Sequence, residues 1–195
     1  MDGGVEHDKI RANMDARCDA GAAAEAQRKA LREAIAFKKY EFDAHGVEMN
    51  QRYSSGAVET DGQPEPAFGL DKELHYQPTT WPGARLPHAW VFDASGAQHS
   101  TLDLCGRGQF TLLTGIGGEA WRDAAAKMDI PIRFHVIGPR QAFVDYTGDW
   151  ARLSEIGDTG AVLVRPDHHV AWRCEQLPED PEADLKRVLK KVLAL

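Results

Sequence analysis

The sequence is short of cysteine, of positive charge and of long apolar runs, and each shortage excludes a class of function. Its three cysteines, Cys18, Cys105 and Cys174, stand far apart with no C-x-x-C. That spacing fits a reducing compartment, offers no metal-site pattern and leaves no paired thiols for disulfide exchange. Small, buried or inert thiols are expected. Lys and Arg total 23 against 30 Asp and Glu, a formal net charge of -7. A nucleic acid is therefore not the expected partner, because its affinity comes from clustered cations. No run approaches the roughly 20 apolar residues that span a bilayer. The opening MDGGVEHDKIRANMDARCD also lacks the basic-then-apolar order of a secretory signal. The expectation is a cytoplasmic protein with no membrane contact.

With 195 residues, 43% of them hydrophobic and 27% charged, the chain has the means for one packed domain plus an extension. From about Ala22 to Lys39 it is Ala, Glu, Gln, Arg, Lys and Leu without Pro or Gly, which predicts a helix supported by a Glu25–Lys29 ion pair. Its apolar stripe, Ala30, Leu31, Ala34 and Ile35, is narrow, as for a helix that docks on something. Residues 61–87 hold Pro64, Pro66, Pro78, Pro82 and Pro87 with no clear period and read as an ordered connector or wrapping arm.

Regular patterning starts at His88. HAWVF and STLDL flank the turn-rich DASG and predict a hairpin, and QFTLLT predicts a central strand. Trp121, Ala124, Ala125 and Met128 share one helix face. IRFHVI predicts a strand, and Asp149 an N-cap for a short helix bearing Leu153 and Ile156. AVLV and VAWRC flank RPDHH as a hairpin with Pro166 in its turn. Pro181 opens a last helix with Leu185, Val188, Leu189 and Val192 on one side. A parallel β-α-β, then an antiparallel hairpin and a closing helix, is the thioredoxin-like arrangement, so the fold class is α/β: a central mixed sheet with flanking helices, preceded by a helix and an irregular connector.

Several motifs invite chemistry. FTLLTGIGGEAW runs from an apolar strand through Gly115, Gly117 and Gly118 into a helix, and GIGGEA matches a loose G-x-G-x-x-A dinucleotide fingerprint. The acid that would meet a ribose about 20 residues on is missing, since IRFHVIG runs into Gly138, Pro139 and Arg140. Thioredoxin chemistry needs a thiol on the same turn and a second to resolve it; the turn carries none, and Gly160 stands where redox members of the fold present a proline. Asp167, His168 and His169 suggest a metal, but neighbours on a strand point to opposite faces, so a solvated turn is favoured. Ser54 and Ser55 have no nucleophile elbow around them. Trp81, Trp90, Trp121, Trp150 and Trp172 read as core and interdomain anchors.

YEFDAHGVEMNQRYSSGAV, PTTWPGARLPHAWV, STLDLCGRGQFTLLTG and GAVLVRPDHHVAWR resemble, in order and spacing, the C-terminal part of FAD-dependent aromatic-ring hydroxylases of the phenol and chlorophenol monooxygenase type. The resemblance implies a thioredoxin-like C-terminal domain without redox cysteines. It implies a parent activity that inserts one oxygen of O2 beside a phenolic hydroxyl, using FAD and NADPH. None of the family's flavin-binding or catalytic motifs maps onto this sequence, so no catalytic, cofactor-binding or metal residue is assigned and no cofactor is expected on this chain alone. The implied organisation is a helical tail of the preceding flavin or substrate domain (1–60), a connector (61–87) and the thioredoxin-like domain (88–195). The partner would be a flavin-binding domain or subunit, or another copy in a homodimer. Arg85, His88 and Trp90, with Arg52 and Tyr53, either form the surface that meets it or brace the connector on the sheet. The competing class is an autonomous thioredoxin-fold scaffold or an oxidoreductase using Cys105 or Cys174.

Overall fold

The structure, a computed structural model, describes residues 7–195. The chain divides into two compact units, one ending at His45 and one from Gly46 to Leu195.

The first unit is helical: α1 (His7–Ala16), α2 (Ala22–Phe37) and α3 (Lys39–Phe42). Ala-rich composition forms α2 where expected, and Arg28 ties it back to the preceding turn by donating to the carbonyls of Arg17 (2.6 Å) and Asp19 (3.0 Å). The ion pair along it joins Lys29 to Glu33 at 3.9 Å, in place of the expected Glu25–Lys29.

The boundary falls just inside α4 (His45–Met49); from Gly46 the second unit continues as an arm to Pro87 and then builds two sheets. β1 (Trp90–Asp93), β2 (Gln98–Ser100) and β5 (Phe143–Val144) form a three-stranded antiparallel sheet in the order β2-β1-β5. The hairpin around DASG is present, its turn held by the Asp93 carboxylate, which accepts from the Ser95 and Ala97 N–H groups. Its second strand is corrected: pairing ends at Ser100, and TLDL is a helical turn, α5 (Thr101–Leu104). Ser100 and Asp103 form a capping box there that satisfies the first free donors.

β3 (Phe110–Thr114), β4 (Ile132–Val136), β6 (Ala161–Val164) and β7 (Val170–Cys174) make a mixed sheet in the order β4-β3-β6-β7. β3 and β4 are parallel, joined by α6 (Glu119–Ala126); the β3–β6 and β6–β7 pairs are antiparallel. This is the expected β-α-β, hairpin and closing helix, the last being α8 (Pro181–Val192). The central strands β3 and β6 are buried almost throughout because both faces are covered, while the edge strand β4, IRFHV, is only partly buried along its length. Leu112, Leu163 and Trp172 lie across from one another and pack with α6 and α8. Leu113, Val162, Val164 and Val170 face the opposite way, onto Leu86, Val91, Leu104 and Trp150. Trp121 and Trp172 meet edge to face at 5.6 Å. One cap is also corrected. α7 (Asp149–Leu153) has Gly148 at its N-cap, with φ 73°, and Asp145 reaches in from outside to accept from the Ala151 N–H at 2.9 Å.

Candidate functional site

The glycine turn is closed by packing. A Cβ on Gly115 would lie 2.5 Å from the Asp158 carbonyl oxygen, one on Gly117 2.5 Å from Thr159 Cγ2, and one on Gly118 2.2 Å from Thr114 Oγ1. The glycines are there so that the turn can press against the 158–160 loop. Gly117 N–H donates to Asp158 O (3.0 Å) and Gly118 N–H to Gly115 O (3.2 Å), so two donors that a phosphate would need are spent. Glu119 sits in the first turn of α6, where its own charge meets the helix dipole. Beside the turn is a recess of about 350 Å³ whose charged lining groups are Asp145 and Asp158. An anionic cofactor does not fit here.

The thiols are not poised for exchange. Burial pushes Cys105 up to about 12, far from the thiolate that attacks a disulfide. Cys174 is half-buried, its pKa also raised by burial, and its Sγ donates to Gln176 O at 2.8 Å. Cys18 is exposed. At the β6–β7 turn His168 takes a left-handed backbone, φ 66°, and the two histidines have different partners: His168 Nε2 lies 3.2 Å from Leu102 O, while the His169 ring stacks edge-on to Tyr53 at 4.8 Å. Asp167 is engaged by Arg165 at 2.6 Å. Among the described residues no group of three or more His, Cys, Asp or Glu side chains could hold a metal ion. Among them, too, no helix is long and apolar enough to cross a membrane.

What the spacing could not reveal is how the arm holds the sheet. Its Gly83–Leu86 stretch runs along the outer edge of β7: Gly83 N–H donates to Val170 O, Val170 N–H to Ala84 O, and Leu86 N–H to His168 O, all within 2.8–2.9 Å. Glu59 N–H adds a bond to Ala171 O at 2.8 Å. An edge strand that would otherwise be free to pair is thus covered. Two ionic clamps lock this arrangement. Arg173 on β7 bonds Asp61 of the arm and Glu155 of the loop after α7; Glu155 also accepts from Thr79 Oγ1 (2.8 Å) and Thr80 N–H (3.1 Å). Glu59 bonds Arg187 and Lys191 on α8. The one sequence signal for this was an arginine inside the apolar strand VAWRC.

The five residues singled out on the arm and at the start of β1 separate into two groups. Arg52 is a brace: its side chain, only 8% exposed, bonds Glu65 (3.0 Å) and Pro66 O (2.6 Å) and lies over the Phe68 ring at 4.1 Å. Tyr53 sits beside it on His169, and Arg85 pairs through its backbone with His169. His88 and Trp90 form the other group, 4.5 Å apart, with His88 Nδ1 2.7 Å from Ser100 Oγ and both rings exposed.

Comparison with known proteins gives a consistent result. The family described as aromatic-ring hydroxylase, C-terminal, matches residues 79–194. The chain is 52% identical over 192 residues to 2,4-dichlorophenol 6-monooxygenase of Cupriavidus pinatubonensis, covering 95% of this chain and 32% of that protein. It is 47% identical over 167 residues to phenol 2-monooxygenase of a Pseudomonas species, covering 84% and 27%. Among solved structures, the flavin-dependent monooxygenase PieE in complex with FAD and substrate superposes with a TM-score of 0.82 at 45% identity, over 93% of this chain and 31% of that one. The chain spans about a third of the length of these relatives.

Proposed function

Since the chain belongs to the aromatic-ring hydroxylase family, as its C-terminal domain, we propose that it is the thioredoxin-like accessory domain of an FAD- and NADPH-dependent phenol or chlorophenol monooxygenase, acting through contact with the flavin-bearing part and without turnover of its own. Residues 1–60 then carry over from that part, 61–87 connect, and 88–195 form the domain proper, with the arm from Gly46 folded onto it.

The observation that carries this reading is the closed glycine turn: the place where the fold would present chemistry has its donors spent on Asp158 and Gly115 and no thiol on it. Holding a flavin needs donors for its phosphates and a dry pocket for its ring. The turn does not fit that group. The high pKa of Cys105 likewise weighs against an independent disulfide reductase.

The test is direct. Purified chain incubated with FAD, NADPH and phenol, then gel-filtered, is expected to emerge colourless and to form no catechol. Stoichiometric yellow flavin retained through the column would overturn the reading.

A further inference from the structure

The unit ending at His45 has apolar surface but almost no core. α2 buries only Ala24. On the same face, one turn apart, Leu31 is 39% and Ile35 59% exposed; beyond them Phe37 and Phe42 are 76% and 77% exposed. A helix of this length draws most of its stability from packing an apolar face, and propensity alone leaves it marginal. α8, shorter by four residues, buries Leu185, Val188, Leu189 and Val192. Among the described residues, the polar contacts that hold α2 to its surroundings include the Arg28 bonds to Arg17 and Asp19, and the Lys29–Glu33 ion pair along it is exposed, a kind worth little. Large apolar side chains exposed together mark an interaction face.

We infer that the Leu31–Ile35 face of α2, with Phe37 and Phe42, is the docking surface for the flavin-bearing polypeptide of the parent enzyme. This rests on the function proposed above. The occupant follows from the relatives' length. The matched family is a C-terminal region that begins at residue 79, while the relatives are about three times as long as this chain, so their other two thirds precede it. α1 and α2 lie on that side. The surface meeting the flavin part is thereby moved away from Arg85, His88 and Trp90, of which Arg85 pairs with the β7 edge.

The experiment is a chimera in which this chain replaces the corresponding C-terminal region of the Cupriavidus pinatubonensis dichlorophenol monooxygenase. Leu31→Ala with Ile35→Ala keeps helix propensity and removes only the apolar contact. In the chimera the pair is expected to raise trypsin cleavage after Lys29 and Arg32 roughly tenfold, as a local opening would, and to lower the melting temperature by about 5 °C. In the isolated chain the same pair should change both far less, since Leu31 and Ile35 are already exposed there; Leu70→Ala, elsewhere on the exposed surface, should be silent in both. Equal behaviour of the double variant and its parent in the chimera overturns the inference, as does a loss seen only with Trp90→Ser. Self-association of the isolated chain that Leu31→Ala and Ile35→Ala abolish would assign the face to a second copy and overturn it too. A chimera that neither folds nor retains FAD with the unsubstituted chain would sink the accessory-domain reading itself and the inference with it.

Discussion

Arg173 and Asp61, 112 residues apart in sequence, form an ion pair whose side chains are 12% and 11% exposed. One stands on β7 and the other on the arm, so the pair fastens an irregular segment to a sheet edge at a point where neither charge has free access to water. Breaking such a pair costs far more than its net attraction, because the remaining charge stays buried.

Arg173→Met strands both Asp61 and Glu155 and is expected to destabilise the chain by about 3 kcal/mol, while Asp61→Asn leaves Arg173 its second partner and should cost about 1 kcal/mol. Urea unfolding followed by tryptophan fluorescence reads both. A cost below about 0.5 kcal/mol for Arg173→Met would place the clamp with ordinary surface pairs.

The three thiols should separate by burial. With a maleimide at pH 7.5, Cys18 reacts first, Cys174 more slowly, and Cys105, pushed up to about 12, only after unfolding. Mass spectrometry of the labelled peptides checks the order, and fast labelling of Cys105 in folded protein would contradict its place under the sheet.

Gly118→Ala tests why the turn is glycine-rich. The φ of −94° suits alanine, so the whole cost is steric: the new Cβ meets Thr114, whose hydroxyl is committed to Gly160 O at 2.6 Å. Overpacking of this kind costs about 1–3 kcal/mol. If the turn were an anion cradle, added phosphate would stabilise the native chain and the substitution would remove that gain; no such phosphate dependence is expected in the melting temperature.

The sheet unit was legible because its signals are local and repeated. Leu112 and Leu163 sit in apolar runs that only a doubly covered strand explains, and Leu185, Val188, Leu189 and Val192 hold one helical face. STLDL misled because its alternation mimics a strand, although Ser100 followed three residues later by Asp103 is a capping signal that outranks a period of two over five residues. The Asp149 cap failed by one residue, since Gly148 at φ 73° could make the entry turn. β5 is two residues long, too short for any period to show. The clamps were out of reach for another reason: Glu59 and Lys191 are 132 residues apart, and no spacing rule relates an arm to the helix it meets in space. That the turn carries no thiol was legible; the reason its glycines are needed, the approach of the 158–160 loop, was not.

Ser100→Ala removes the cap of α5 and the hydroxyl facing His88. The expected loss is about 1 kcal/mol. Ser100→Asp, which can still accept from the Leu102 N–H, should recover part of it. Thermal melts of the three proteins decide, and equal loss in both variants would mean that the His88 contact matters more than the cap.

Acid should loosen the arm through Glu59. Its carboxyl is held below the usual range chiefly by the Lys191 hydrogen bond, and by Arg187, while partial burial pulls the other way. A depressed carboxyl stabilises the fold when ionised: the contribution is complete above the unfolded-state value of about 4.5 and is lost as pH falls through the lower folded-state value. Stability measured by urea titration between pH 7 and pH 3 should therefore fall at the acid end, and Glu59→Gln should flatten that part of the curve while lowering the plateau at neutral pH. The Glu59 N–H bond to Ala171 O lies at the same point of the β7 edge, so amide exchange at Glu59 should accelerate over the same acid interval once the intrinsic pH dependence is removed. A Glu59→Gln curve parallel to the parent's would show that Lys191 and Arg187 merely lie near the arm and do not fasten it.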